Sequence, residues 1–312
     1  MKLIIQIPCF NEEKTLPLTV KDLPKKIPGI SKIEYLVIDD GSSDNTVNVA
    51  KKCGVHHIIK NEINKGLAYT FKIGIDESIR LGANIIVNTD ADNQYSGFDI
   101  PKLIYPIIKN KADIVVGTRP ILSHQEFSFF KKILQFIGSY VVRILSGTDV
   151  KDAPSGFRAY SRESAMKINI FSNYTYTLET LIQAGQQGAR IISVPIRVNS
   201  KLRESRLFKG MFQYVSRSLA TMVRMFAVYR PLMFFGFIGI AFLLIGFIPL
   251  LRYFYLYLNN QQGDHLQSIL LGTLLIIIGF FAILAGFVGD IISVNRKLLE
   301  EIKVHQKKLL QK

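Results

Sequence analysis

The sequence predicts a mostly parallel α/β domain, followed by amphipathic helices and two membrane-spanning helices. Three apolar runs, KLIIQIP, YLVI and NIIV, lead directly into polar residues, as strands do at the carboxyl edge of an open α/β sheet. Farther along, residues 231–251 and 266–289 contain no charged residue. Each of these two runs reaches the roughly 20 residues that a helix needs to cross about 30 Å of hydrocarbon.

Each predicted strand leads into polar or charged residues. The first strand leads into CFNEE, with a helix expected from about Thr15, and the second ends in Asp39 and Asp40 before a Gly-Ser-Ser turn. A third strand ends just before Asp90, and the run DIVVGT precedes Arg119. Because ligands of open α/β sheets bind outside the carboxyl ends of the strands, we expect these residues to form one site.

Asp90 and Asp92, with Gln94 behind them, form the predicted metal site. Mg²⁺ or Mn²⁺ prefers oxygen ligands, usually takes one or two carboxylates, and completes its shell with water and substrate phosphates. Gln94 would reach the ion directly or through water. An isolated Asp-x-Asp is often only a solvated loop, but the second acidic strand end favours a shared site for nucleotide diphosphate chemistry.

Six motifs occur together in one order. They are IPCFNEE, VIDDGSSDNT, NKGLA, DADNQ, VVGTR and DAPSGFRAYSRE. In this order they resemble the family 2 glycosyltransferases of the GT-A fold, in particular the dolichyl or polyprenyl phosphate sugar synthases such as dolichol phosphate mannose synthase. The resemblance covers roughly residues 1–206. It implies a Rossmann-like domain that binds a nucleotide sugar.

The resemblance also implies roles at the donor side. Pro8, Phe10 and Glu12 would flank the base or ribose, and Asp39 would accept a hydrogen bond from the base. The donor set is completed by Asp40, Lys65 and Asp90. The family more often has tyrosine where Phe10 stands, so the choice between GDP and UDP stays open. NKG, which contains Lys65 and Gly66, would equally suit an ordinary turn before a helix.

On the acceptor side, the resemblance places Arg119 beside the acceptor phosphate, for which arginine offers a bidentate fork. The segment KLRESRLFKG looks like the part of the family that closes over the phosphates. The further acceptor or phosphate-binding candidates are Lys131, Lys132, Ser155, Arg158, Arg203 and Arg206. The alternative for any single one of these charges is a solvated surface position.

Asp152 is the remaining candidate for a base or a sugar ligand, so the predicted catalytic residues are Asp92, Arg119 and Asp152. The segment DAPSGFRAY is expected as a polar loop before a helix from Ser161. A helix N-cap would explain Asp152 as well. Glu179 would either point toward the acceptor or face solvent.

Together with these residues, the resemblance implies an inverting, metal-dependent transfer of one sugar to polyprenyl phosphate. A phosphate monoester is largely dianionic at pH 7 and is already a nucleophile, so no strong general base is needed. The first alternative is a lipid-linked acceptor with a hydroxyl group, which would need a base. The second is an inactive membrane subunit that binds nucleotide sugars. Because the chain lacks tryptophan, the QxxRW signature of processive synthases is excluded.

Charge predicts the membrane orientation. The loop NNQQGDH carries no Lys or Arg, whereas residues 201–230 carry seven and the segment after Asp290 carries six. Positive residues stay on the cytoplasmic side, so the catalytic domain and the C-terminus should be cytoplasmic. The net charge of +15 is concentrated near the membrane, which favours a lipid bilayer over nucleic acid as the partner. Whether the chain forms a homo-oligomer stays open.

The predicted organisation has four parts: a GT-A domain over residues 1–208, an amphipathic juxtamembrane helix over 209–230, a two-helix hairpin over 231–290, and a basic tail over 291–312. The spans are expected at about 231–257 and 266–289. Two stretches, FSFFKKILQFIGSYVVRIL and GMFQYVSRSLATMVRMF, have apolar residues at helical spacing. Either stretch would lie at the membrane interface or pack on the domain. Small residues at 282, 285, 286 and 289 would let the helices pack closely.

Overall fold

A computed structural model describes residues 1–120, 138–144, 146–170, 176–200, 211–259 and 266–309. The chain divides into two compact units. One contains Met1–Met222 with Val304–Lys312, and the other contains Val223–Lys303.

The first unit is built on a seven-stranded sheet with the order β3-β2-β1-β4-β6-β5-β7. Strand β6 is antiparallel to both neighbours, and the other strand pairs are parallel. The predicted mostly parallel sheet is therefore confirmed. The strands are β1 (Lys2–Cys9), β2 (Lys32–Asp39), β3 (His57–Lys60), β4 (Ile85–Asn88), β5 (Ile114–Thr118), β6 (Arg158–Ser161) and β7 (Ile191–Pro195).

The register brings the predicted strand ends together. Cys9 of β1 lies opposite Asp39 of β2, and Gln6 of β1 lies opposite Asn88 of β4. Strand β5 runs in the same direction, because β6 is antiparallel to both β4 and β5. The residues that follow β1, β2, β4 and β5 therefore share one edge of the sheet, and so does the loop that leads into β6.

Helices cover the sheet and join its strands. The helices of the first unit are α1 (Leu16–Asp22), α2 (Thr46–Lys52), α3 (Leu67–Arg80), α4 (Ile100–Ile108), α5 (Arg162–Lys167) and α6 (Thr177–Gln186), with a 3₁₀ turn at Gly97–Asp99 and helical residues at 138–144. The core consists of fully buried aliphatic side chains such as Leu3, Ile5 and Val37. Each side chain of this kind contributes about 1.5–3 kcal/mol when buried.

The sequence-based prediction that Arg158 lies in a loop was wrong. Arg158 begins β6, and Ser161 caps the following helix by accepting a hydrogen bond from the Ser164 amide. Only four residues form this strand, which is too short to show an alternating pattern. Its pairing with β4 and β5, which lie far away in the sequence, makes it a strand.

Glu34 collects three cationic partners at the opposite end of the sheet. The buried Glu34 carboxylate lies 2.7 Å from Lys2 Nζ, 2.6 Å from Lys32 Nζ and 2.9 Å from His57 Nε2. Burial raises the pKa of Glu34, but the hydrogen bonds from Lys2, Lys32 and His57 outweigh it and lower the pKa from 4.5 to about 2. The cluster fastens the starts of β1, β2 and β3 together.

Glu34 should therefore make stability depend on pH. Its pKa is lower in the folded state, so its contribution is fully present above about pH 4.5 and is lost as pH falls toward about 2. We expect Glu34→Gln to lower the free energy of unfolding by about 3 kcal/mol at pH 7 and to flatten its decline between these pH values. Thermal unfolding in detergent, followed by circular dichroism across pH, measures both effects. An unchanged pH profile in the variant would contradict this role.

The C-terminal region contains three long helices, α7 (Met211–Tyr229), α8 (Pro231–Leu258) and α9 (Leu266–Leu309). Helices α8 and α9 are long and apolar enough to cross a membrane, and few of their residues are buried within the protein. The two predicted candidate spans are therefore confirmed as helices. The second predicted amphipathic stretch forms α7, whereas most of the first stretch lies outside the described residues.

Helix α9 does not end where the apolar run ends. It continues to Leu309 and contains 44 residues, or about 66 Å at 1.5 Å per residue. The segment predicted as a separate tail therefore continues the helix of the second span as far as Leu309. No Gly or Pro occurs between Asp290 and Leu309, so the sequence provides no residue that would break the helix there.

Glycines let α8 and α9 approach backbone to backbone. A Cβ added to Gly239 would lie 2.7 Å from the Gly279 carbonyl oxygen, and one on Gly246 would lie 3.0 Å from the Gly272 carbonyl oxygen. The predicted small residue Gly289 also contacts α8, because its Cβ would lie 2.8 Å from Pro231. Close contact between the helices therefore depends on glycines in both of them.

Candidate active site

The DADNQ loop, residues 90–94, follows β4 at the carboxyl edge of the sheet. Asp90, Asp92 and Gln94 are half-buried in it. The loop is held by Thr19, whose hydroxyl donates to the Ala91 carbonyl at 2.9 Å. Within the loop, Asp92 Oδ1 accepts a hydrogen bond from the Gln94 amide at 3.1 Å. The three residues of the predicted metal site therefore sit on one short turn.

The donor atoms of this turn suit Mg²⁺ or Mn²⁺. Across the described parts of the chain, no group of three or more His, Cys, Asp or Glu side chains is placed to hold a metal. A closed zinc cage needs such a group. Two half-exposed carboxylates and one amide instead suit a hard ion that keeps water and substrate phosphates in its shell. Asp90, Asp92 and Gln94 thus fit the predicted ion.

Asp39, predicted to bind the nucleotide sugar, has a carboxylate oxygen that accepts no hydrogen bond within the protein. Its side chain is fully buried, and Oδ2 accepts a hydrogen bond from the Ser42 amide at 3.2 Å. Oδ1 is buried and has no hydrogen-bond partner. Because a buried polar atom without a partner costs about 1–3 kcal/mol, this oxygen is suited to accept an N–H of a ligand. Phe10 directly follows β1, the strand that pairs with β2, and this residue is 37% exposed.

Other residues predicted for the donor side shape the loops. The buried Asp40 accepts hydrogen bonds from the backbone amides of Lys65 at 3.0 Å and Gly66 at 2.8 Å. It thereby fixes the NKG segment, which leads directly into α3. Glu12 is also buried, and its carboxylate accepts the Thr15 hydroxyl at the start of α1. Pro8 is buried in β1.

Cys9 is placed at this edge but is not prepared for nucleophilic chemistry. Burial raises the pKa of the Cys9 thiol well above 9.0, and the nearby carboxylates of Glu12 and Asp39 raise it further. The thiol therefore stays protonated at neutral pH, whereas the thiolate would be the nucleophile.

Arg119 and Asp152 form a bidentate ion pair. Arg119 Nε lies 2.8 Å from Asp152 Oδ2, and Nη2 lies 2.9 Å from Oδ1. The Arg119 backbone amide also donates to Oδ2 at 3.2 Å. Asp152 is fully buried, and the next element after it is strand β6, so its alternative interpretation as a helix N-cap was wrong. Both oxygens of the predicted base are thus engaged with Arg119.

The loop before β6 is organised by Arg158. This fully buried guanidinium donates to the carbonyl oxygens of Ser155 at 2.8 Å and Ala153 at 2.6 Å, and to Thr180 Oγ1 at 2.9 Å. Arg158 therefore holds the loop from inside the protein. The neighbouring Ser155 hydroxyl is buried and has no hydrogen-bond partner.

The remaining predicted site residues are Glu179 and four basic residues. Glu179 is fully buried in α6, so its alternative as a solvent-facing residue was wrong. The other predicted phosphate-binding residues lie outside the described part of the chain. They are Lys131, Lys132, Arg203 and Arg206.

Thr118, the last residue of β5, was not identified from the sequence. Its hydroxyl oxygen is buried without a hydrogen-bond partner, directly before Arg119. Gly117 pairs with the loop before β6 through a 2.8 Å hydrogen bond to the Phe157 carbonyl. The position of Thr118 at the end of the run VVGT was the available signal.

The model of the family described as "Glycosyl transferase family 2" matches residues 4–168, which include the strand ends, the DADNQ loop and the Arg119–Asp152 pair. The chain belongs to glycosyl transferase family 2. The predicted glycosyltransferase activity class and the predicted family are therefore confirmed.

Two named relatives are similar to this chain over most of their own length. An undecaprenyl-phosphate mannosyltransferase of Micrococcus luteus is 27% identical over 222 residues, which cover 68% of this chain and 89% of that protein. A UDP-N-acetylglucosamine–dolichyl-phosphate N-acetylglucosaminyltransferase of Methanococcus voltae is 32% identical over 214 residues, covering 61% of this chain and 83% of that protein.

A solved structure confirms the GT-A type of fold for this family 2 chain. Glucosyl-3-phosphoglycerate synthase of Mycobacterium tuberculosis, crystallised with Mn²⁺, uridine diphosphate and phosphoglyceric acid, superposes with a TM-score of 0.56. The match covers 73% of this chain and 78% of that chain at 16% identity. At this identity the likeness extends to the fold.

Proposed function

We propose that the protein transfers a single sugar from a nucleotide diphosphate donor to polyprenyl phosphate at the cytoplasmic face of a membrane, with inversion and with Mg²⁺ or Mn²⁺. Relatives named for transfer to undecaprenyl phosphate and to dolichyl phosphate support this acceptor. Two helices long enough to span a membrane would keep the enzyme beside a lipid substrate.

The donor would bind along the ends of β1, β2 and β4. The unpartnered Asp39 Oδ1 would accept an N–H of the base. Asp90, Asp92 and Gln94 would hold the cation, which supplies positive charge to the departing nucleoside diphosphate. A solved neighbour of the same fold was crystallised with Mn²⁺ and uridine diphosphate, which supports this pairing of ion and nucleotide.

The Arg119–Asp152 pair favours a phosphate acceptor over a hydroxyl acceptor. A hydroxyl acceptor would need a general base within hydrogen-bonding reach. Asp152, the candidate base, accepts hydrogen bonds from Arg119 with both of its oxygens, so both oxygens are already engaged. A phosphate dianion needs no base. It needs cations that orient it, and Asp152 holds the Arg119 guanidinium in one orientation for that purpose.

The proposal is tested with full-length protein purified in detergent. It is incubated with a panel of GDP- and UDP-linked sugars, and with undecaprenyl phosphate, dolichyl phosphate or diacylglycerol. The lipid product is identified by mass spectrometry. We expect one donor to give a prenyl phosphate monosaccharide. A product formed on diacylglycerol but not on either prenyl phosphate would overturn the proposed acceptor.

Membrane orientation gives a separate prediction. The loop NNQQGDH lacks Lys and Arg, whereas basic residues precede α8 and follow the second apolar run. We therefore expect a reporter fused after Lys312 to be cytoplasmic. A Gly263→Cys variant, with Cys9 and Cys53 replaced by Ser, should react in intact cells with a thiol reagent that does not cross the membrane. Labelling only after the cells are opened would show that the orientation is reversed.

A further inference from the structure

The backbone carbonyl and the backbone amide of Gly156 both form hydrogen bonds with side chains that flank the DADNQ loop. Asn88, two residues before Asp90, donates through Nδ2 to the Gly156 carbonyl at 2.9 Å. Tyr95, the residue after Gln94, accepts a hydrogen bond from the Gly156 amide at 3.2 Å. The two ends of the loop are therefore joined through a single residue of the loop before β6.

Asn88 is itself fixed by buried partners. Its Oδ1 accepts a hydrogen bond from Gln6 Nε2 at 2.9 Å, and its Nδ2 also donates to the Tyr176 hydroxyl at 2.9 Å. Tyr176 stacks on Phe71, with ring centroids 3.8 Å apart and planes 4° from parallel. Because these side chains are almost fully buried, no water competes for the hydrogen bonds.

Gly156 also lies directly against Asp90. A Cβ added at Gly156 would be 3.3 Å from each Asp90 carboxylate oxygen and 2.8 Å from the Tyr176 hydroxyl. These distances leave almost no space for a methyl group. Glycine at this position therefore sets how closely the loop before β6 can approach the carboxylate of Asp90.

We infer that Asn88, Tyr95 and Tyr176 are positioning residues that, by holding Gly156, fix Asp90 and Asp92 in the orientation that binds a divalent cation. The inference rests on the proposed function, because it takes these carboxylates as the ligands of the cation. Partners that orient metal ligands typically change metal affinity by about 10–100-fold when they are removed. The same size of effect is expected here.

Two conservative variants test the inference, Tyr95→Phe and Tyr176→Phe. Each removes one hydroxyl and keeps the ring that packs in the core. The dissociation constant of Mn²⁺ is measured by isothermal titration calorimetry on full-length protein in detergent, with UDP and, separately, with GDP present. We expect both variants to bind Mn²⁺ about tenfold more weakly than the wild type. Gly156→Ala should show a similar or larger loss, because its methyl group would press on Asp90.

Tyr160→Phe is the matched control. Tyr160 is also fully buried and packs edge-on against Phe71, at 5.9 Å between ring centroids, but its hydroxyl makes no hydrogen bond to Gly156. Its Mn²⁺ affinity should equal that of the wild type. In activity assays, the two positioning variants should need more Mn²⁺ for half-maximal rate and should recover kcat at saturating Mn²⁺. A purely structural defect would lower the unfolding temperature without changing the Mn²⁺ dependence.

The outcomes separate this inference from the proposed function. Wild-type Mn²⁺ affinity in both tyrosine variants would overturn the inference alone, and so would an equal loss in Tyr160→Phe. A wild type that binds no Mn²⁺ with either nucleotide would overturn the inference together with the metal part of the proposed function. If Tyr176→Phe does not fold, Tyr95→Phe decides the question.

Discussion

Replacing Asp92 by Asn should abolish sugar transfer in a protein that still folds. The substitution removes a negative charge from the loop that would hold the cation, and with it the balance of charge on the departing nucleoside diphosphate. We expect the rate to fall by at least about 100-fold, the size of effect seen when one group that stabilises a transition state is removed. The amide oxygen of Asn can still accept the Gln94 hydrogen bond that Asp92 Oδ1 accepts, so the turn should persist.

Asp149→Asn is the control for this experiment. Its side chain is 78% exposed and lies 3.5 Å from Arg143, away from the DADNQ loop in sequence, so its replacement should leave the rate unchanged. Excess EDTA should inactivate the wild type, and added Mn²⁺ should restore it. Full activity of the wild type in EDTA would contradict the metal requirement.

Arg119→Ala should impair transfer much more than Asp152→Asn. Loss of Arg119 removes the guanidinium fork that would orient the acceptor phosphate, and we expect a fall of about 100-fold or more in rate. In Asp152→Asn one side-chain oxygen can still accept a hydrogen bond from Arg119, so the expected fall is about tenfold. Initial rates with a prenyl phosphate acceptor measure both effects. A hydroxyl acceptor would give the reverse order, since removing a general base typically costs about 10²–10⁴ in rate.

The burial of this pair requires a stability control. Arg119→Ala leaves the fully buried Asp152 without its cationic partner, and breaking a buried pair in this way costs about 3–5 kcal/mol. Thermal unfolding of each variant is therefore measured beside its rate. Arg119→Lys keeps the charge and loses the fork, so it should be more stable than Arg119→Ala and still transfer slowly. Near-normal transfer by both Arg119 variants would contradict the assigned role.

The sequence predicted the edge of the sheet but not the contacts within it. Apolar runs ending in Asp39, Asp90 and Arg119 identified strand ends, because a buried parallel strand appears in a sequence as a continuous apolar run. The same patterns gave no sign that Asp152 would bind Arg119, 33 residues away. Such a pair is set by the antiparallel insertion of β6, and local sequence periodicity contains no information about pairing between distant strands.

The residues around Gly156 could not have been found for a related reason. Asn88, Tyr95 and Tyr176 meet at Gly156 although up to 88 residues separate them. Each has an ordinary local explanation, as the end of a strand, a loop residue or the start of a helix. Only the fold brings them together, so the Asp-x-Asp motif was recognisable while its supporting hydrogen bonds were not.

The glycines between α8 and α9 imply a handed twist in the hairpin that these two helices form. Gly239 and Gly246 are seven residues apart, as are Gly272, Gly279 and Gly286. A straight α-helix drifts by about 20° over each such heptad, so a seam with this repeat stays in contact only if the helices wind around each other in a left-handed supercoil. The hairpin should therefore behave as a short antiparallel coiled coil with glycine in its seam. Its remaining faces then wind around the outside, where the partner helix does not limit the size of the side chains.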